Sequence, residues 1–224
     1  MYSIDHHNRR FSISKSWALF VIIFLFIALS GFGQSNKIPD GFAPLFNGKD
    51  FTGWEGPLDS FRIESGAIVG GQLENRIPHN QFLATKKSYN DFILRAKFKL
   101  VGKNPNAGIQ IRSQRIPNHH EMIGYQADLG QKYWGSLYDE SRRRKMIATA
   151  NLNDVMKVLK PNDWNEYKIK AVGRRVQLWI NGQMTVDYVE ADKSLEQFGL
   201  IALQIHSGPP SEAWYKDLWI KEIK

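Results

Sequence analysis

Gln110 and Arg112, Gln126 and Asp128, and Gln204 and His206 are three pairs of polar residues, each two positions apart inside an apolar run. Side chains alternate between faces along a β-strand, so each pair shares one face. Ile109 with Ile111, and Leu203 with Ile205, point the other way, into a core. Lys and Glu normally fill a merely solvated strand face. Amides, an arginine, an aspartate and a histidine beside Tyr and Trp are the types that converge on hydroxyl-rich ligands. Such a face either binds a hydroxyl-rich ligand or is simply solvated. Histidine is the side chain suited to proton transfer at physiological pH, so His206 is either a base or a structural histidine, and Asp128 can act as a base or orient one. Arg112 can hold an oxyanion as a charged donor, or be consumed in an ion pair with Asp128 or Glu140. Gln110, Gln126 and Gln204 can bind hydroxyls or satisfy neighbours. In the segment 133–140, Trp134 and Tyr138 offer flat faces for sugar rings, although any one aromatic is more often core. Asp139 or Glu140 can serve as general acid.

Other chemistries are less well served. An ordinary glycosidase needs two carboxylates flanking the bond, and no closely alternating run of acids is present. His119-His120-Glu121 offers metal ligands, with His120 and Glu121 the candidate pair for one divalent ion. Adjacent histidines on a strand face opposite ways, so both could reach one ion only from a loop. No other cofactor is implied. There is no cysteine, which excludes disulfides and thiolate metal sites.

The elements that must position these residues are almost all strands. Phe92, Leu94, Ala96, Phe98 and Leu100 alternate with Ile93, Arg95, Lys97 and Lys99, a strict period of two. Asn181-Gly182 between two apolar-periodic runs is a hairpin signal. The spacing predicts one helix, over residues 153–159, stopped by Pro161, and a last strand over 214–223. Residues 74–81 and 114–120 read as longer loops that could wall a site. Many short strands joined by Gly and Asn turns predict an all-β sandwich or barrel.

At the N-terminus, a basic stretch is followed by the apolar run 17–29 and small residues at 30–34. That layout predicts a signal peptide over 1–33, a linker over 34–40 and one domain over 41–224. The apolar run is short for a spanning helix, and an uncleaved anchor would be the only membrane attachment. The expected location is exported, periplasmic or extracellular. The formal charge is +8. The leader carries three basic residues and one acid, so the remainder keeps +6. Arg142-Arg143-Arg144-Lys145 concentrates that charge. With no nucleic-acid motif beside it, it reads as a solvated loop rather than a nucleic-acid patch.

Longer stretches resemble a known family. Residues 41–50, Gly-Phe-Ala-Pro-Leu-Phe-Asn-Gly-Lys-Asp, followed by Thr52-Gly53-Trp54, resemble the opening signature of the 3-keto-disaccharide hydrolase domain family. Residues 61–70, 89–92, 106–113, 163–165, the 179–182 hairpin and 199–206 match its later strands in order, so the resemblance covers Gly41 to Lys224. It implies a concanavalin A-like jelly-roll sandwich of two antiparallel sheets, with the site on a concave face. It also implies action on 3-keto-glycosides made by an upstream oxidoreductase. A C3 ketone acidifies the C2 proton; a base removes it, the C1 group leaves by β-elimination, and water then adds. One departure stands out. The family's Tyr-Glu-Val-Gln-type strand falls here on Ile123-Gly124-Tyr125-Gln126, so its Glu position is Gly124. Asp128, Glu121 and Glu140 are the nearby acids. A non-catalytic carbohydrate-binding module of the same fold is the alternative.

Overall fold

The computed structural model describes residues 37–224 together with Tyr2. The expected signal peptide over 1–33 lies outside the described residues. In chain order the strands are β1 (Ala43–Pro44), β2 (Trp54–Glu55), β3 (Phe61–Glu64), β4 (Ala67–Gln72), β5 (Gln81–Thr85), β6 (Phe92–Gly102), β7 (Asn106–Arg115), β8 (Met122–Gly130), β9 (Leu137–Glu140) and β10 (Lys145–Ala148). After helix α1 (Leu152–Val158) come β11 (Asn165–Val172), β12 (Arg175–Ile180), β13 (Gln183–Val189), β14 (Leu200–Ile205) and β15 (Ser211–Glu222). They form two antiparallel sheets, a jelly-roll sandwich. One sheet runs β13-β12-β11-β6-β15-β4-β3, with β1 added on β15; the other runs β10-β9-β8-β7-β14-β5-β2.

Alternation explains the packing. Along β6 burial switches at every residue, so Phe92, Leu94, Ala96, Phe98 and Leu100 all enter the core. They meet Ile109 and Ile111 of β7, Tyr125, Ala127 and Leu129 of β8, and Leu203 and Ile205 of β14. The Asn181-Gly182 turn has φ of 48° and 86°, the left-handed pair that a two-residue hairpin needs. Helix α1 starts where Asn151 accepts a hydrogen bond from the Asn153 amide at 3.1 Å, an N-cap.

Two core tyrosines tie the sheets together beneath the polar face. The Tyr215 hydroxyl lies 2.7 Å from the carbonyl of Gln204 and 3.2 Å from that of Gly108. The Tyr167 hydroxyl donates to the Asp128 carbonyl at 3.4 Å. The backbone carrying the polar pairs is thereby fixed from behind.

Candidate functional site

The face of the second sheet opposite the core carries Gly124, Gln126 and Asp128 of β8, Gly108 and Gln110 of β7, and Ala202 and Gln204 of β14. Strand pairing sets Gly108 beside both Gln204 and Asp128, and Gln110 beside Ala202 and Gln126. On the far side, Gln126 faces Tyr138 and Gly124 faces Glu140. One part of this face is apolar: Phe82, Ala84, Met122 and Ala202 pack together there. The other part opens into a cavity of about 560 Å³ lined by residues that include Gln126, Asp128, Tyr133, Tyr138, Glu140 and His206. Asn80, Asn106, Arg144, Lys145 and Met146 complete the lining.

A line of side chains orients Asp128. Ser113 Oγ donates to Gln110 Oε1 at 2.6 Å, Gln110 Nε2 to Gln126 Oε1 at 2.9 Å, and Gln126 Nε2 to Asp128 Oδ1 at 2.7 Å. This order fixes both amide orientations, because each oxygen must accept and each nitrogen donate. Burial pushes the Asp128 carboxyl up to about 7; the Gln126 bond opposes this and the Glu140 charge adds to it. Burial also pushes Glu140 up to about 7, aided by the Glu121 carboxylate. Both acids therefore exchange protons near neutrality. Asp128 lies four residues along β8 from the partner of Glu140, roughly 13 Å of strand, with Gln126 and Tyr138 between. Both carboxyls border the same cavity, one toward each end of that pair. The His206 ring Nδ1 sits 2.6 Å from the Ser207 carbonyl. A carbonyl only accepts, so Nδ1 carries a proton, and Nε2 is the ring nitrogen left for a ligand.

Five of the expected residues thus line one cavity: Gln126, Asp128, Tyr138, Glu140 and His206. The others lie elsewhere. Arg112 is turned away by a bulge between Ile111 and Gln114 and by its own φ of 47°. Its side chain is fully buried and paired with Asp91 at 2.9 Å, not with Asp128 or Glu140, so it cannot hold an oxyanion in the cavity. Gln110 is fully buried and works through Gln126 rather than on a ligand. Gln204 is fully buried outside the cavity lining, and neither amide atom has a partner. Trp134 packs on the core against Phe98, with ring centroids 6.1 Å apart. Tyr133 takes the cavity position instead. Asp139 is fully buried beneath Arg142 and Arg143 and is no general acid.

His120 and Glu121, the expected metal pair, lie beside each other outside the cavity lining. Glu121 accepts from Asn80 at 3.0 Å, and its carboxylate is 3.5 Å from His120 Nε2. The His79 and His120 rings meet at a tilt with centroids 4.5 Å apart, and His119 stacks on His120 at 4.4 Å. Among the described residues no group of three or more His, Asp or Glu converges as metal ligands. The 74–81 loop gives the cavity Asn80.

Gly124 stands where the resembled family carries a glutamate. A Cβ at this position would stand 2.3 Å from Ser113 Oγ and 2.8 Å from Ser113 Cα, and φ is +150°. A side chain there would collide with Ser113, and Glu140, directly across the strand pair, lines the cavity. Gly124→Glu is therefore expected to lower stability by more than about 2 kcal/mol. Urea denaturation measures this; a variant as stable as wild type would show that the strand can shift.

The sequence profile of the 3-keto-alpha-glucoside-1,2-lyase-like domain matches residues 41–221. No curated protein matches the chain. Among solved structures, a candidate glycosyl hydrolase from Parabacteroides distasonis ATCC 8503 superposes with a TM-score of 0.64 at 21% identity, covering 82% of this chain and 94% of that one. The carbohydrate-binding module CBM66 from Bacillus subtilis gives 0.60 at 15% identity, covering 77% and 98%. A Bacillus subtilis protein with a galectin-like fold gives 0.59 at 13% identity, covering 81% and 94%. At these identities the likeness is one of fold.

Proposed function

Because the chain belongs to the 3-keto-alpha-glucoside-1,2-lyase-like domain family, and its role is therefore related to carbohydrates, we propose that it cleaves 3-keto-glycosides by elimination followed by hydration. One observation supports this most directly. Asp128 and Glu140, both held near neutrality by burial, face one cavity across Gln126 and Tyr138. In this reading Asp128 removes the C2 proton and the electron pair moves onto the C3 oxygen. The Gln126 amide and the Tyr133 and Tyr138 hydroxyls are the donors available to that enolate. The enolate then collapses, the C1–O bond breaks, and Glu140 protonates the departing oxygen. Water adding at C1 completes a net hydrolysis. His206, with Nε2 as acceptor, holds a sugar hydroxyl or shares the base role.

The same reading places the protein outside the cytoplasm, delivered by the segment 1–33, and downstream of an oxidoreductase that makes the ketone. The test uses the purified domain with 3-keto-trehalose beside trehalose. Turnover of the keto form alone is the expected result. No turnover of either, with measurable glycan binding, would instead identify a non-catalytic carbohydrate-binding module.

A further inference from the structure

The four-residue basic run does not behave as one solvated loop. Arg142 Nε lies 2.9 Å from Asp139, and Arg143 bonds both Asp139 and Glu190, the latter at 2.6 Å. Those two arginines clamp the turn between β9 and β10 from inside. The clamp leaves Arg144 and Lys145 exposed and lining the cavity, and neither side chain has a hydrogen-bond or ion-pair partner among the described residues. Arg144 stands close enough to Glu140 and Tyr138 for its charge to act on both. Its backbone has φ of 50°, a region where glycine or asparagine would be easier. An arginine kept at a strained turn position, unpaired and facing a cavity, points to a ligand charge.

From this placement we infer that the substrate carries an anionic substituent, a carboxylate or sulfate ester, on the group that leaves. The inference rests on the proposed roles of Asp128 and Glu140. Glu140 protonates the leaving oxygen, and Arg144 lies at the Glu140 end, so what Arg144 touches belongs to the departing half. Neither Lys nor Arg lines the opposite end, where the Asp128 carboxylate would repel an anion. The planar guanidinium suits a two-oxygen anion. Strand β10 is the last of its sheet, so the departing half has open space beyond it.

The test compares 3-keto-glucosides whose second sugar is glucose, glucuronate or a glucose sulfate, in wild type and in Arg144→Gly and Arg144→Asn. Both substitutions suit the left-handed backbone, and thermal melting confirms that the fold survives. Wild type is expected to favour the anionic substrates about tenfold in kcat/KM, with that ratio falling toward one in both variants and toward one in 0.5 M salt. The carboxylate and sulfate arms show which anion is preferred. A ratio near one in wild type, or one that survives both substitutions, overturns the inference. Calorimetric binding of the unoxidised glucosyl-glucuronate and of trehalose separates the two levels. Anion-selective binding lost with Arg144, without turnover of any keto sugar, supports the anion site while overturning the elimination reading.

Discussion

Asp128→Asn is expected to cut turnover by about 10²-fold or more and to make the protein more stable at pH 7.5. The two effects share one cause. Asp128 is 5% exposed, and burial holds its carboxyl at about 7 against an ordinary value of 3.8. In the unfolded chain the group loses its proton near 3.8. Between there and about 7 the folded state therefore binds more protons than the unfolded state, and stability falls as pH rises through that window. A difference of that size corresponds to on the order of 4 kcal/mol. Asparagine removes that penalty while its Oδ1 still accepts from Gln126 Nε2, the 2.7 Å bond of the wild type. The variant should melt higher than wild type at pH 7.5, with the difference shrinking toward pH 4. Turnover should fall about 10²–10⁴-fold, the range for losing a general base. Wild-type kcat/KM should be bell-shaped around pH 7, its limbs belonging to the Asp128–Glu140 pair jointly, since one must be ionised and the other protonated. Asp128→Asn with full turnover would remove Asp128 from the reaction, and a melting temperature lowered at every pH would show that burial does not penalise its charged form.

Alternation is a local property, and what depended on it alone was legible in the residues. β6, β8 and β14 orient as their period of two requires, and Gln126, Asp128 and His206 follow onto the polar face. The Asn-Gly hairpin and the short helix are equally local. Arg112 escaped because the bulge that turns it away has no glycine or proline to announce it; the residue itself adopts the left-handed backbone. Trp134 and Tyr133 exchange places because the turn after Gly130, closed by the Tyr133 amide on the Gly130 carbonyl at 3.0 Å, breaks the two-residue period. The basic run divides because Glu190, distant in sequence, reaches Arg143. Asn80 and Asn106 join the cavity through strand order. These are contacts between segments far apart in the chain, and no spacing rule encodes them.

The bulge also sets the largest structural prediction: Arg112→Ala should lower stability by roughly 3–5 kcal/mol. The guanidinium is a staple between three segments. Nε donates to the Asn90 carbonyl at 2.8 Å, and Nη2 pairs with Asp91 at 2.9 Å, both just before β6. Nη1 donates to the Gly173 carbonyl at 2.7 Å, in the β11–β12 turn, and to Gln197 at 2.8 Å, just before β14. Alanine leaves these acceptors short of a donor and opens a void at the end of the sandwich, and a buried charge pair loses one member. For a chain of this size each kcal/mol moves the melting point about 2–4 °C, so the fall should be roughly 6–20 °C. Arg112→Lys should recover less than half of the loss, since an ammonium cannot reach three segments as one planar fork does. Below its melting point, Arg112→Ala should keep kcat within a few-fold of wild type, because the guanidinium faces away from the cavity. An oxyanion-binding arginine would give the reverse pattern, a collapse in kcat with the melting curve unmoved. Measuring both quantities on the same protein therefore decides between the staple and the catalytic role.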